Sequence, residues 1–218
     1  MTEFPPSELP GIIELPLWRI DASAKDVEEV CRKAREQKLH GICVASSRVE
    51  LAASFLEDTD LKITALVGTS GNEDGDVKRY ETEIAIDFGA QEIEVCLNIG
   101  KLKDGDRKYV LRELRDVAEA ADERIVKVEI RPRLLTRAEL QLACELVLDS
   151  GAHFVCARYV TAPNLEDIKA CREAVGPKFG VKASEEVLDT KTALALIAAG
   201  ATRLGATNGA VPPPAAIL

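Results

Sequence analysis

The stretch IVKVEIRPRLLTRAELQLACELVLDSGAHFVCA, residues 125–157, carries the pattern of one complete strand–helix–strand unit. The apolar run 125–130 predicts a buried strand, and the run 153–157 predicts the next strand. Between the two runs, Thr136 with an acidic residue three positions later predicts the capped start of a helix. Apolar residues at helical spacing follow, and Gly151 predicts the end of that helix.

The same pattern repeats along the chain. Eight short apolar runs start about 20 to 35 residues apart, which is the length of one strand, one helix and their loops. These runs cover residues 11–17, 41–45, 62–67, 92–98, 125–130, 153–157, 180–183 and 203–206. Eight parallel strands wrapped by helices close into a barrel of about 200 to 250 residues. The sequence therefore predicts an α/β fold, a single (β/α)8 TIM barrel over residues 1–210.

Capping residues and apolar stripes predict further helices between these runs. Ser23, Asn164 and Thr190 are each followed by apolar residues at helical spacing, so we expect a helix to open at each of them. Another helix with one apolar face is predicted from Val77, Tyr80, Ile84, Ala85 and Phe88.

The C-terminal end breaks the repeat. Three consecutive prolines, residues 212–214, follow the last apolar run almost directly. Because proline cannot continue a helix interior, the last helix is expected to be short or missing. Residues 211–218 are then a Pro-rich tail outside the barrel.

Composition excludes several classes of function. The chain has 28 Lys and Arg against 37 Asp and Glu, a net charge of −9, and no basic stripe, which disfavours nucleic acid as a partner. No apolar run approaches the 18 or so residues of a membrane span, and the N-terminus does not resemble a signal peptide. We therefore expect a cytoplasmic protein that binds neither nucleic acid nor membrane.

Cysteine and histidine spacing gives no sign of a metal or cofactor. The six cysteines form no CxxC pair, and the chain has only His40 and His153. A structural zinc site needs clustered ligands, and a serine-type triad needs an oriented histidine. We predict no metal and no cofactor, with the cysteines mostly buried as small apolar residues.

Several motifs resemble one family in order and spacing over residues 13–209. These motifs are EIE at 92–94, NIGKLKDGD at 98–106, VKV at 126–128, GAHFV at 151–155, GPKFGVKAS at 176–184 and AAGATRLGA at 198–206. They are similar to those of the deoxyribose-phosphate aldolases, which are class I aldolases. The resemblance implies the same barrel fold and a small-molecule carbonyl substrate.

The resemblance also implies a mechanism. In this family a strand-six lysine forms a Schiff base with acetaldehyde, and a strand-seven lysine keeps that amine unprotonated because neighbouring cations disfavour the charged form. A strand-four aspartate helps proton transfer, and glycine-rich turns after strands seven and eight hold the phosphate. Here Lys182 matches the strand-seven lysine, Lys127 a strand-five lysine, and Asn98 a further family position.

The chain departs from this pattern at the centre of the site. Cys156 stands where the family has its Schiff-base lysine, and a thiol cannot form an imine. Glu94 stands at the aspartate position, where its longer side chain moves the carboxylate by about 1 Å. Glu185 and Glu186 replace a glycine pair at the phosphate turn, which disfavours a phosphorylated ligand. Ordinary deoxyribose-phosphate aldolase activity is therefore not expected.

Two interpretations remain open for the central residues. Lys182 is either an active amine whose pKa Lys127 and Arg158 depress, or one half of a buried ion pair with a glutamate such as Glu94 or Glu129. Cys156 is either a thiolate nucleophile or a small buried side chain. The candidate catalytic residues are Lys182, Glu94, Lys127 and Cys156.

The candidate substrate-binding residues lie at the predicted mouth of the barrel. Arg131 and Arg158 either clamp a carboxylate ligand or neutralise nearby glutamates, with Arg133 close by. The full predicted set is Arg131, Arg158, Asn98, Thr207 and Asn208.

Two functions follow as alternatives. The first is a lyase, or a related carbonyl enzyme, that acts on a small non-phosphorylated substrate through Lys182 and Glu94. The second is an inactive homologue that binds a small anion or a protein partner at the barrel mouth. A homo-oligomer is compatible with either function.

Overall fold

The chain forms a closed barrel of eight parallel strands in sequential order, as predicted. A computed structural model describes residues 4–159, 163–185 and 189–206. The strands are β1 (Ile13–Leu17), β2 (Gly41–Ala45), β3 (Lys62–Val67), β4 (Glu92–Cys96), β5 (Ile125–Ile130), β6 (Phe154–Arg158), β7 (Gly180–Glu185) and β8 (Arg203–Ala206). Four of the predicted runs differ from the observed strands by one or two residues at an end, namely 11–17, 92–98, 153–157 and 180–183.

Eight α-helices surround the barrel in the described part of the chain. They are α1 (Ala24–Glu36), α2 (Val49–Leu56), α3 (Gly75–Asp87), α4 (Ile99–Lys103), α5 (Arg107–Ala120), α6 (Arg137–Asp149), α7 (Leu165–Val175) and α8 (Thr190–Ala198). A 3-10 helix, Pro6–Ile12, precedes β1 and packs against α8. The expected short or missing last helix and the Pro-rich tail lie outside the described residues.

The predicted helix starts are confirmed except for one. Ser23 and Thr136 each form a capping box with the acidic residue three positions later, and Asn164 caps α7. The helix expected to open at Thr190 is capped by Asp189, whose side chain accepts a hydrogen bond from the Thr192 amide. Aspartate is the stronger cap of the two neighbours, so the helix begins one residue earlier than predicted.

The prediction for the buried face of α3 is wrong for three of its five residues, whereas Ala85 is buried as predicted. Val77, Tyr80 and Phe88, which were expected to mark the apolar face, are exposed, whereas Lys78 is fully buried. The Lys78 ammonium donates to Glu113 of α5 and to two backbone carbonyls, so polar contacts orient this helix. An apolar stripe therefore faces outward.

Side chains alternate between two environments along each strand. In β5, Val126, Val128 and Ile130 join the apolar core between the strands and the helices, while Lys127 and Glu129 are buried on the other side. Because alternate residues of a strand point to opposite faces, this second side is the barrel lumen. The strands thus place the charged residues inside the barrel.

Candidate functional site

Glu14 lies at the centre of a charged network in the lumen. It projects from β1 and is fully buried. Its Oε1 accepts a hydrogen bond from Lys127 Nζ at 2.7 Å, and its Oε2 accepts one from Lys182 Nζ at 2.6 Å. Arg203 of β8 also donates to Oε1, over 2.8 Å. One carboxylate therefore joins cations from three other strands.

Lys127 occupies the amino-terminal half of the lumen. Besides Glu14, its Nζ donates to Thr64 Oγ1 and to Glu92 Oε2, both at 2.8 Å. Glu92 Oε1 lies 3.0 Å from His40 Nε2. Burial raises the pKa of Glu92, but the hydrogen bond with His40 and the Lys127 charge outweigh burial and lower it to about 2. Three acceptors hold the Lys127 ammonium in one position.

Lys182 and Glu94 form a direct contact next to Cys156. Lys182 Nζ lies 2.6 Å from Glu94 Oε2. The Cys156 thiol donates to Glu94 Oε1 over 3.4 Å, and Ser184 Oγ lies 3.6 Å from the same sulfur. Cys156 and Lys182 are direct register partners on β6 and β7. Lys127 joins this group through Glu14, so the four predicted catalytic residues share one network.

Gly205 allows β8 to approach this group closely. It is the register partner of Ser184 on β7. A side-chain carbon at Gly205 would lie 2.5 Å from Ser184 Oγ and 3.4 Å from Lys182 Cε. Only glycine fits there without moving Ser184.

The electrostatic surroundings keep Lys182 protonated. Burial by itself lowers its pKa, but the charges of Glu14 and Glu94 outweigh burial and raise the pKa well above its usual value. The expectation that Lys127 and Arg158 depress this pKa is therefore not met. Lys127 itself is engaged by Glu14, and its pKa is raised in the same way. Lys182 is an ammonium ion in this arrangement, paired with Glu94 as one interpretation held and not with Glu129.

The Cys156 thiol is held in its neutral form. Burial and the Glu94 charge raise its pKa well above the usual range. A nucleophilic thiolate needs the opposite environment. Cys156 is thus a small buried side chain in the position between Glu94 and Ser184.

Arg131 and Arg158 lie above the lysines and share a single carboxylate. Arg131 Nε donates to Glu129 Oε1 at 3.2 Å, and Arg158 Nη1 donates to Glu129 Oε2 at 3.1 Å. Glu129 is only 1% exposed. The sequence suggested one cavity for the arginines and the lysines together. In the described residues they instead form two layers, with Glu129 as the partner of the arginines.

Arg158 also covers the mouth of the barrel. Its guanidinium carbon lies 4.0 Å from the ring centroid of Trp18, which follows β1. The Trp18 indole N–H points to Cys43 Sγ at 3.3 Å. Trp18 packs on an apolar cluster of Cys43, Leu66 and Cys96 inside the lumen. Arg158 thus spans the mouth from β6 to the end of β1, above the buried lysines.

The remaining predicted substrate-binding residues have other positions. Asn98 is buried and caps α4, where its Oδ1 accepts a hydrogen bond from the Lys101 amide at 3.0 Å. Its contact is with its own loop, as expected for an ordinary strand-end residue. Thr207 and Asn208 lie outside the described residues.

The sequence interpretation missed Glu14, Arg203 and Trp18 as members of this site. A signal for Glu14 was present, because a lone carboxylate inside the apolar run 11–17 requires a buried cation. Arg203 gave a similar signal, because it is a charged residue at the start of the apolar run 203–206. Trp18 follows β1 in a loop, where no periodicity indicates which way a side chain points.

Two groups of side chains come close enough to hold a metal ion. Their ligand atoms lie within 4.8 Å of one another in the sets Glu14, His40, Glu92 and Glu14, Cys43, Glu94. Each carboxylate in these sets already contacts Lys127 or Lys182. The described arrangement is therefore that of an ion-pair network.

The closed parallel barrel has the fold of solved aldolases. The structure superimposes on the aldolase QR15 with a TM-score of 0.86 at 26% identity, covering 93% of this chain and 92% of that one. The tetrameric deoxyribose phosphate aldolase from Aeropyrum pernix gives the same TM-score at 21% identity, covering 94% of this chain and 89% of that one.

A sequence relative identifies the family within this class. The chain is 42% identical over 200 residues to the deoxyribose-phosphate aldolase of Alkaliphilus oremlandii, covering 89% of this chain and 90% of the relative. No protein-family model matches the sequence. The chain belongs to the deoxyribose-phosphate aldolase family.

Proposed function

We propose that this family member is a lyase that acts on a small, non-phosphorylated carbonyl compound without forming an imine on strand six. Lys182 supplies a fixed cation, and Glu94 supplies the acid and base. The observation that carries the proposal is the 2.6 Å contact between Lys182 Nζ and Glu94 Oε2, with the other Glu94 oxygen directed to Cys156. A carboxylate and an ammonium thus flank the position where the resemblance implies the Schiff-base lysine.

The proposed chemistry needs only these two groups. Among the described residues, Glu14 and Glu94 take two of the three N–H groups of Lys182, so one can donate to a substrate carbonyl. In aldol cleavage, Glu94 takes the proton of the β-hydroxyl group, the carbon–carbon bond breaks, and the electron pair moves onto the carbonyl oxygen as an enolate. Lys182 stabilises that oxygen. Glu94 then returns the proton to the enolate carbon, which gives the second carbonyl product and regenerates the Glu94 carboxylate.

The sequence of the phosphate turn supports a non-phosphorylated substrate. Residues 185 and 186 are both glutamate, where the resemblance implies a glycine pair. A carboxylate about 5 Å from a phosphate charge costs about 3 kcal/mol at an effective dielectric near 20. The substrate that we propose for this chain therefore differs from the deoxyribose phosphate for which its relatives are named.

Proton exchange tests this function. In D2O, we expect the protein to catalyse deuterium exchange at the α-carbon of acetone or propanal, measured by NMR, because enolate formation is the shared step. Glu94→Gln loses the base and should abolish exchange, whereas Glu83→Gln, an exposed control on α3, should not change it.

Borohydride trapping separates this mechanism from imine chemistry. With a protonated Lys182, we expect mass spectrometry to find no reduced adduct on the native chain. Cys156→Lys introduces an amine beside the Lys182 cation, which lowers the pKa of the new amine, so this variant should be trapped while Cys156→Met is not. Cys156→Lys is still not expected to cleave deoxyribose phosphate. An adduct on Lys182 of the native chain would contradict the proposal.

Anion binding without catalysis is the second candidate. It is favoured by Arg131 and Arg158, two guanidinium groups that share the single Glu129 carboxylate above the buried lysines. Absence of α-proton exchange with every probe, together with a melting-temperature increase in the presence of dicarboxylates, would select this candidate.

The setting and assembly of the protein are also part of the proposal. All six cysteines are free and buried, which supports a reducing, cytoplasmic environment. None of the helices in the described part of the chain is long and apolar enough to cross a bilayer. The tetrameric relative and the exposed apolar residues of α3 support a homo-oligomer.

A further inference from the structure

A chamber opens beside the barrel mouth, among the residues that follow β3, β4 and β5. Its volume is about 290 Å³. Its polar lining consists of Ser70, Asn72, Cys96, Lys103, Glu129 and Arg131. Small-molecule sites are concave, of about 300 Å³ or more, and carry a few polar groups that orient the ligand. The chamber is therefore of a size for a short-chain ligand.

Charge around Glu129, which lines the chamber together with Arg131, is unbalanced toward the positive side because Arg158 contacts the same carboxylate from outside the lining. The buried Glu129 carboxylate is the shared partner of Arg131 and Arg158, so two guanidinium groups face one carboxylate. Lys103 adds a further cation at the rim, where it contacts Glu139 at 3.1 Å. Within the described part of the chain, one positive charge close to Glu129 is left for a ligand to neutralise.

A carboxylate fits this excess charge better than a phosphate does. Arg131 uses Nε for Glu129 and Nη2 for the Thr69 carbonyl, and among the described residues this leaves further N–H groups of its guanidinium available. Planar guanidinium groups bind carboxylates through paired hydrogen bonds. A phosphate dianion would carry twice the excess charge and would be repelled by Glu129 in the chamber wall.

The chamber lies two strands away from the central lysine. Glu129 is the register partner of Cys156, and Cys156 is the register partner of Lys182. Adjacent strands are about 4.8 Å apart, so the Glu129 and Lys182 backbones are about 10 Å apart. Lys182 is fully buried and is not part of the chamber lining, so a ligand whose carboxylate contacts Arg131 meets Lys182 only if the side chains between them move aside.

We propose that this chamber binds the carboxylate of a short-chain oxo acid, so that the substrate class of the site is a carboxylate-bearing carbonyl compound. The binding site stands on the chamber and its charges, whereas the identification of its ligand as the substrate rests on the function proposed above.

Fluorescence of Trp18 reports on the site directly. Trp18 is the only tryptophan of the chain, and it contacts Arg158, which shares Glu129 with Arg131. Titration with 2-oxobutanoate should give a saturable fluorescence change. Butanal, which has no carboxylate, and inorganic phosphate should bind at least about tenfold more weakly, because each lacks a matched charge-assisted contact.

Variants locate the contact. Arg131→Gln should weaken 2-oxobutanoate binding by about tenfold or more, because one charge-assisted hydrogen bond is lost. Arg131→Lys keeps the positive charge but not the paired N–H groups. Its affinity for 2-oxobutanoate should therefore lie between those of the native chain and Arg131→Gln. Arg137→Gln is the matched control, since Arg137 is exposed on α6 and contacts Glu173. Its affinity should equal that of the native chain.

Two results would overturn the inference. One is equal affinity for phosphate and 2-oxobutanoate, and the other is unchanged affinity in Arg131→Gln. Failure of the proposed function gives a different pattern: 2-oxobutanoate binds through Arg131, but no α-proton exchange occurs. If the protein catalyses α-proton exchange on acetone but does not bind 2-oxobutanoate through Arg131, the lyase proposal stands and the proposal of an oxo-acid substrate is wrong.

Discussion

Single side chains in the lumen act through the charges of their neighbours. Glu14 is fully buried, yet its pKa lies well below its usual value, because the charges of Lys127, Lys182 and Arg203 outweigh the effect of burial. At Glu92, the His40 hydrogen bond and the Lys127 charge likewise outweigh the effect of burial on the pKa. Buried ion pairs of this kind contribute little net stability when complete, but the loss of one partner is costly because it leaves an unpaired buried charge.

The low pKa of Glu92 makes the stability of the protein depend on pH in the acid range. The folded pKa of about 2 lies below the ordinary 4.5, so the contribution of Glu92 is present above pH 4.5 and is lost as the pH falls toward 2. That contribution is on the order of 3 kcal/mol. Glu92→Gln should destabilise the fold at pH 7, and the difference from the native chain should shrink between pH 4.5 and 2.

Urea unfolding followed by circular dichroism at several pH values measures this difference. Glu83→Gln, which removes an exposed partner of Arg79, serves as the control and should stay within about 0.5 kcal/mol of the native chain at each pH. A difference for Glu92→Gln that is constant across the acid range would show that Glu92 titrates normally in the folded protein.

Secondary-structure elements are positioned by polar contacts as well as by apolar packing. α3 and α5 meet at the buried pair of Lys78 and Glu113, whose Nζ and Oε1 are 2.8 Å apart. The same ammonium donates to the carbonyls of Gly71 and Cys96, at 3.0 and 2.9 Å. One side chain thus ties a helix to the loop after β3 and to the end of β4.

Removal of the Lys78 ammonium should loosen this junction. Lys78→Met leaves the Glu113 carboxylate buried without its cation, and we expect a loss of about 3 to 5 kcal/mol in the free energy of unfolding. The double variant Lys78→Met with Glu113→Gln removes the unpaired charge and should recover part of that loss. Arg79→Met, on the exposed side of α3, is the control; urea unfolding of all four chains decides the outcome. A single variant as stable as this control would contradict the proposed role.

The strands and three of the four predicted helix starts could be predicted because their signals are local. Thr136 and Ser23 cap helices through residues three positions away, and apolar runs alternate with helical stripes. The orientation of α3 could not be predicted, because Lys78 finds Glu113 across 35 residues. Periodicity alone favoured the apolar stripe, and a tertiary contact overrode it.

The same distinction applies to the candidate site. Lys182 and Glu94 were identified by resemblance and do meet in the lumen. Their charge state depends on Glu14, which lies 168 residues from Lys182, and no local pattern joins the two. The arginine layer was misplaced for a related reason, since alternation along a strand gives the face of a residue but not its depth in the barrel.

At the scale of the whole molecule, the outer surface carries an apolar stripe. Val77 and Tyr80 of α3, and Phe88 directly after it, are 54%, 61% and 41% exposed. Contiguous exposed apolar residues on a stable protein commonly mark a contact surface. Closed symmetric assemblies bury the same surface on each subunit.

We therefore expect a homo-oligomer in solution. Light scattering should give a mass that is a multiple of 23.6 kDa. Tyr80→Glu places a charge in the stripe and should shift the mass toward a single chain, whereas Leu148→Glu, an exposed apolar position on α6, should not. A single-chain mass for the native protein, or no effect of Tyr80→Glu, would rule out this surface.

The junction of β1 and β8 closes the barrel between the first and the last strand. Among the described residues, which end at Ala206 in β8, two residue pairs join these strands in register, whereas the other junctions have four or five. Glu14 and Arg203 lie on opposite sides of it, separated by 189 positions in the chain. Contacts of such long sequence separation form late, because the intervening chain must be ordered first. We therefore expect closure of the ring to come late in folding, and we expect the amides of β8 to be among the first strand amides to exchange with solvent.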